Sequence, residues 1–186
     1  MKKLLGFSIF LVFVLIASLT AEAKVTLPAI FSDNMVLQQN TQVNVWGKAA
    51  PGEKVTVKAS WLDKAVTAKA AANGKWTVKL KTPKATTNQS VTVSGENEIT
   101  INNILIGEVW LCTGQSNMEF PVSRHPDVKW NTGMLNEAEE LKDADYPEIR
   151  LFHVKHQLAH EGELDDCEGE WLVCNPKNLY DFSAVG

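Results

Sequence analysis

The chain has 186 residues, a formal charge of −4 at pH 7 and 45% hydrophobic residues. A mildly acidic chain without a basic stripe is a poor nucleic-acid binder, because neutralising phosphates dominates that affinity. Its three cysteines and four histidines do not fall at zinc-ligand spacing, so neither nucleic acid, a metal nor another cofactor is expected.

The first element is a leader. Met1-Lys2-Lys3, an apolar run from Leu4 to about Leu19 and a closing Ala21-Glu22-Ala23 form the pattern of a secretory signal peptide, with cleavage after Ala23. The run is short for a spanning helix, which needs about 20 apolar residues, and no cysteine follows it to carry a lipid. No stable membrane anchor is expected. Losing Lys2, Lys3 and Glu22 leaves a mature chain one charge more negative, expected in the periplasm or outside the cell. An oxidising compartment permits a disulfide, and Cys167 with Cys174 is the local pair. Cys112, inside an apolar run, is expected to be a buried small hydrophobe.

From Lys24 to about Asn103 the hydrophobic period is two. Val43, Val45 and Gly47 alternate with polar residues, as do Val55, Val57, Ala59 and Trp61, then Trp76, Val78 and Leu80, and later Val91, Val93, Ile99 and Ile101. Such alternation buries one face of each strand. Ala50-Pro51-Gly52-Glu53, Asn73-Gly74 and Ser94-Gly95-Glu96-Asn97 supply turn chemistry between the strands. The pattern predicts a β-sandwich over residues 24–103. Trp46, Trp61 and Trp76 are expected mainly to fill its core; an aromatic platform for sugar rings is the other use of such residues.

From Ile104 the style changes. Ile104 to Cys112 is an almost continuous apolar run, as in a strand covered on both faces. Leu135, Ala138 and Leu141 fall at helical spacing, and Ile149 to Val154 reads as a second strand entered through Tyr146-Pro147. A parallel pair needs such a helical crossover, and Phe182 to Val185 resembles the start of another helix. The predicted fold class is therefore mixed β and α/β: a signal peptide at 1–23, a β-sandwich at 24–103, and the beginning of an α/β domain at 104–186. Two strands and one helix cannot cover a parallel sheet, so that last domain is expected to be the N-terminal part of a larger one.

The chemistry concentrates in Gly107-Glu108-Val109-Trp110-Leu111-Cys112-Thr113-Gly114-Gln115-Ser116-Asn117-Met118-Glu119. An apolar run ending in Thr-Gly would deliver a serine to the carboxyl edge of a sheet, where α/β proteins place ligands. Gly114 is expected to turn the chain sharply, having no Cβ to clash at positive φ. The pentad Gly-Gln-Ser-Asn-Met is not the Gly-x-Ser-x-Gly elbow, because Met118 stands fifth. A competing role for Ser116 is to cap the helix that follows.

This segment resembles the nucleophile motif of the sialate O-acetylesterase family. Leu27-Pro28-Ala29-Ile30-Phe31-Ser32-Asp33-Asn34-Met35-Val36-Leu37-Gln38 and Phe182-Ser183-Ala184-Val185-Gly186 are also similar to that family, in the same order. The resemblance implies a serine esterase with an SGNH-hydrolase-like α/β core, of which residues 104–186 would be the first part. It makes Ser116 the catalytic nucleophile. Gln115 and Asn117 are candidate side-chain donors to an oxyanion, beside free backbone N–H groups at the start of a helix. His125 lies on the following loop as a candidate for the substrate cleft, or as a solvated loop histidine. His153, His156 and His160 show no partner in the sequence. The family's catalytic histidine follows an aspartate by two or three residues, a pattern absent here, so the His/Asp pair is expected to be missing and the chain inactive as it stands. Glu137, Glu139 and Glu140 read as the solvated face of a helix, and Asp165-Asp166 lacks the ligand alternation of a calcium loop.

The expected partner is an O-acetylated sugar, either sialic acid or an acetyl-xylan or other polysaccharide, with a non-catalytic carbohydrate-binding remnant as the reading from another class.

Overall fold

The computed structural model describes residues 24–125, 127, 132–160 and 162–186. The leader expected at 1–23 lies outside the described residues. The chain is mostly β, with few helical residues.

Seven strands form in the first half: β1 Val36–Gln38, β2 Gln42–Lys48, β3 Lys54–Ala59, β4 Val66–Lys69, β5 Lys75–Lys81, β6 Thr86–Ser94 and β7 Glu98–Gly107. Alternation decides which face is inward. In β5 the side chains of Trp76, Val78 and Leu80 are buried while Lys75, Thr77, Lys79 and Lys81 face outward. The hairpin before it turns at Gly74, whose φ of 78° is cheap only for glycine, and Asn73 Oδ1 accepts the Lys75 N–H at 3.0 Å.

Five strands build one mixed sheet in the order β1-β7-β6-β3-β4, and β2 pairs with β5 in a second, two-stranded sheet. The β1–β7 pair is parallel; the remaining pairs of both sheets are antiparallel. Both sheets supply one core. Val55, Val57, Val91, Val93 and Ile101 enter it from the larger sheet, and Val45, Trp76, Val78 and Leu80 from the smaller.

The second half departs from expectation. Ile104, Leu105 and Ile106 are buried, but as the end of β7, which runs through the expected boundary at 103/104. The predicted strand to Cys112 stops at Gly107. Its partner β1 ends at Gln38, opposite Gly107, and the chain turns away at Asn40 with φ 53°. Having lost its ladder, the segment 108–115 adopts no regular structure, and Trp110, Leu111 and Cys112 are exposed. Cys112 is thus not a buried hydrophobe.

The predicted parallel crossover also gives way. A helix does form, at Glu137–Asp143, but the strand after it, β8 Tyr146–Phe152, pairs antiparallel with β9 Trp171–Cys174. A four-residue helix, Pro176–Leu179, follows, capped by the Asn175 side chain. Phe182–Val185 is not helical; Ser183 bridges antiparallel to Pro121. Cys167 and Cys174 are both free thiols.

Residues 165–171 return to the β region. Asp166 Oδ1 accepts the Ala29 N–H at 3.0 Å, and the Trp171 indole donates to the Ile30 carbonyl at 2.8 Å. Among the described residues no helix is long and apolar enough to cross a membrane.

Candidate active site

The three segments that carry the family resemblance meet in space. Gln38, last residue of β1, donates to the Glu108 carboxylate at 3.0 Å, and Gln39 donates to the same carboxylate at 2.7 Å. These two bonds hold the Glu108 carboxyl below its ordinary value. Gln38 Oε1 in turn accepts the Val109 N–H at 3.0 Å. The first segment therefore anchors the start of the serine segment.

The last segment anchors its end. Val122 N–H donates to the Phe182 carbonyl at 2.9 Å, and Ala184 N–H donates to the Phe120 carbonyl at 2.8 Å. Ser183 Oγ accepts from the Gly186 N–H at 3.0 Å, which folds the chain end back. There the Cys112 thiol lies 3.7 Å from the Gly186 carbonyl.

Between these anchors, Ser116 opens a four-residue 3-10 turn, Ser116–Glu119, and is exposed. Gln115 occupies the cap position and Ser116 follows it, so Ser116 is not the cap. The turn is closed by Met118 N–H to the Gln115 carbonyl at 2.9 Å and Phe120 N–H to the Asn117 carbonyl at 3.2 Å. Gln115 and Asn117, expected as side-chain oxyanion donors, thus hold the turn through their backbone carbonyls; both residues are exposed. A single 3-10 turn also brings far less aligned dipole than the full helix expected there. Gly114 is needed for space, not for positive φ: it is absent from the residues with φ above zero, and a Cβ there would sit 2.7 Å from Met118 Cγ.

Two histidines find carboxylates that no local spacing announces. His125 Nε2 lies 2.8 Å from Asp181 Oδ1, with the ring edge-on to Tyr180 at 5.5 Å. The Tyr180 hydroxyl donates to the Arg124 carbonyl at 3.1 Å. His156 Nε2 lies 3.1 Å from Glu119 Oε1, on the same turn as Ser116. His153 packs edge-on to Phe182 at 6.3 Å, and His160 is exposed. The expectation that His153, His156 and His160 lack partners is corrected for His156, whose carboxylate stands 37 residues away in sequence, and for His153, which meets the Phe182 ring. Among the described residues, however, no hydrogen bond reaches the Ser116 hydroxyl. A hydroxyl without a base is a weak nucleophile at neutral pH. Among the described residues no group of three or more His, Cys, Asp or Glu gathers as a metal site.

No family model matches the chain. A sialate O-acetylesterase of Mus musculus is 31% identical over 74% of this chain and 26% of its own length. That of Rattus norvegicus is 31% identical over 81% of this chain and 29% of its own, and the Homo sapiens protein is 28% identical over 80% and 29%. The crystal structure of a carbohydrate acetylesterase from Xanthomonas citri matches with a TM-score of 0.75 at 30% identity, covering 86% of this chain and 35% of that one. The chain is a relative of the sialate O-acetylesterases. It spans under a third of the length of these curated sialate O-acetylesterases.

Proposed function

We propose that this chain carries the nucleophile segment of an exported carbohydrate O-acetylesterase, with Ser116 as the nucleophile. The observation that carries the reading is the convergence just described: residues 27–38 and 182–186, far apart in sequence, clamp the two ends of the segment that presents Ser116. Such a clamp places one exposed serine on a turn whose approach and exit are both fixed. Ser116 Oγ would attack the acetyl carbonyl, forming an acetyl-serine ester as the sugar oxygen leaves with a proton. Water would then release acetate and restore the hydroxyl. Gln115 and Asn117 are the side-chain amides nearest in sequence for an oxyanion, and His125, braced by Asp181, is the candidate to line the substrate cleft.

The first half acts as a β-sandwich scaffold, and residues 108–186 as the opening part of an SGNH-like domain. The substrate is an O-acetylated sugar: sialic acid in the reading nearest to the mammalian relatives, xylan or another polysaccharide in the reading nearest to the Xanthomonas enzyme. Export follows from the leader, and N-terminal sequencing of the secreted protein should begin at Lys24.

The deciding experiment measures acetate release from O-acetylated sugars by the natural protein carrying these residues. Ser116→Ala should lower turnover by about 10⁴-fold or more with an unchanged circular dichroism spectrum and melt; retained activity would remove Ser116 from the mechanism. Residues 24–186 by themselves should show little turnover of 4-nitrophenyl acetate, because the serine lacks a base. Robust hydrolysis that vanishes in Ser116→Ala would instead assign the base to one of the four histidines.

A further inference from the structure

The outer face of the two-stranded sheet holds a feature unrelated to Ser116. In the β2–β5 register Trp46 lies opposite Thr77, and Lys48 lies directly opposite Lys75. Like charges facing each other across a ladder are destabilising. Asp165, from the returning segment, resolves this by reaching both ammonium groups, at 3.2 Å from Lys48 Nζ and 2.6 Å from Lys75 Nζ. Asp165 and Asp166 form one edge of an open hollow of about 330 Å³, lined also by the sheet and by Leu27 and Pro28. That volume is within the range of small-ligand sites, which are mostly apolar with a few placed polar groups.

Trp46 is the unexpected wall. It packs edge-to-face on Phe31 at 4.6 Å, yet remains 40% exposed, whereas Trp76 behind it is buried at 2%. An amphipathic indole left open beside hydrogen-bonding groups is a common recognition surface. The charges in the hollow balance, two lysines against Asp165 and Asp166. Asp166 is already engaged, accepting the Ala29 N–H at 3.0 Å and the Cys167 N–H at 2.8 Å. A lining without net charge gives a carboxylated or phosphorylated ligand no net electrostatic attraction. A ligand with one apolar C–H face and a rim of hydroxyls gains at both walls: the face stacks on indole, and the hydroxyls bond to Lys75 and Asp165 with charge-assisted strength and to the neutral Thr77 hydroxyl.

We propose that this hollow is a binding site for a neutral saccharide, stacked on Trp46 and held by Lys48, Lys75 and Asp165, separate from the Ser116 segment. It serves to keep a polysaccharide chain on the protein, and it stands whether or not Ser116 is a nucleophile.

Isothermal titration of the full chain with xylohexaose, cellohexaose and the anionic 3′-sialyllactose tests this. Saturable binding of a neutral hexaose is expected, unchanged in Ser116→Ala and weakened about tenfold or more in Trp46→Ala, the usual effect of truncating a central aromatic anchor. Because Trp46→Ala also disturbs Phe31, Thr77→Trp is the second variant: Thr77 is exposed and faces Trp46, so its enlargement fills the hollow without entering the core and should abolish binding. No saturable binding of either hexaose up to about 5 mM overturns the proposal. So does tighter binding of 3′-sialyllactose that both pocket variants abolish, hexaose binding unaffected by both pocket variants, or hexaose binding lost in Ser116→Ala.

Discussion

In residues 24–107, Val45, Val55, Val57, Leu80, Val91 and Val93 are wholly or almost wholly removed from solvent. In residues 108–186, Trp110, Leu111, Leu135 and Leu158 are each more than four-fifths exposed. Both stretches are rich in apolar residues, so composition does not separate them. Periodicity does. In the first half the apolar residues alternate along paired strands and converge on one core; in the second they fall where the backbone has no ladder to follow. What orders the second half is a set of clips: Glu108 to Gln38 and Gln39, Phe120 and Val122 to residues 182–184, His125 to Asp181, and Asp165 to two lysines. Such contacts fix geometry locally while contributing little apolar burial, and regions of that kind open at low free energy.

The sharpest way to break this contrast is a matched pair of truncations. Leu80→Ala removes a fully buried side chain and should cost about 2–5 kcal/mol. Leu111→Ala, on an exposed side chain, should stay within about 0.5 kcal/mol. Urea melts of the two variants against the parent decide it. Equal losses would mean that Leu111 is covered in solution.

Two glycines sharpen it at smaller scale. A Cβ on Gly47 would stand 2.2 Å from the Thr26 carbonyl oxygen and 2.9 Å from the Trp76 ring. The first is fixed by the paired backbone bonds between Thr26 and Lys48 and the second by the buried β5, so Gly47→Ala should cost about 1–3 kcal/mol. A Cβ on Gly114 meets only the Met118 side chain, which has room to swing outward because both residues lie near the surface. Gly114→Ala should cost under about 1 kcal/mol by the same melts. A reversed order would show that the serine turn, not the sheet, is the stiffer of the two.

Hydrogen exchange extends the comparison to the backbone. The Val78 and Leu80 amides lie in the β2–β5 ladder and should exchange only through global opening. Those of residues 110–114 donate to no backbone carbonyl among the described residues and should exchange at least about 10³-fold faster.

How far the sequence foretold each half follows from the same physics. In residues 24–107, β2, β3, β5, β6 and β7 were legible because burial of one face imposes a period of two, and Asn73-Gly74 announces its turn; β1 and β4, three and four residues long, are too short to show that period. The run Ile104–Cys112 misled because an apolar stretch signals burial but not the partner that must pair with it; β1 ends opposite Gly107, and the strand ends there too. The parallel crossover failed for a related reason. β9, Trp171–Cys174, is too short and its entry too irregular to stand out, yet it captures β8. At the candidate site, the motif and its neighbours singled out Ser116, which the fold leaves exposed. Asp181 and Glu119 were not visible, since their histidine partners lie 56 and 37 residues away and only the folded chain joins them. Trp46 was grouped with Trp61 and Trp76 as core although it alternates outward with Asn44 and Lys48.

The smallest effect concerns the strap that carries Asp165. Its carboxyl is held below the ordinary value of 3.8, first by the hydrogen bonds from Lys75 and Lys48 and then by their charges. A folded-state pKa below the unfolded one means that the native state resists protonation. The contribution is therefore fully present above about pH 4 and is lost as pH falls through the depressed native value. Once Asp165 is protonated, Lys48 and Lys75 again face each other without a shared counterion, and the segment at the edge of the Trp46 hollow loses its tie. Because all three side chains are more than half exposed, solvent screens the interaction and the change in global stability is small. The local readout is Trp46 fluorescence, followed from about pH 6 to about pH 2 in the parent and in Asp165→Asn. The parent should show a transition below the ordinary aspartate range that moves with salt, because exposed charges are screened. Asp165→Asn should already show the low-pH signal at neutral pH and lack that transition. A transition that persists unchanged in the variant would mean that another acidic group, such as Asp166, ties the segment down.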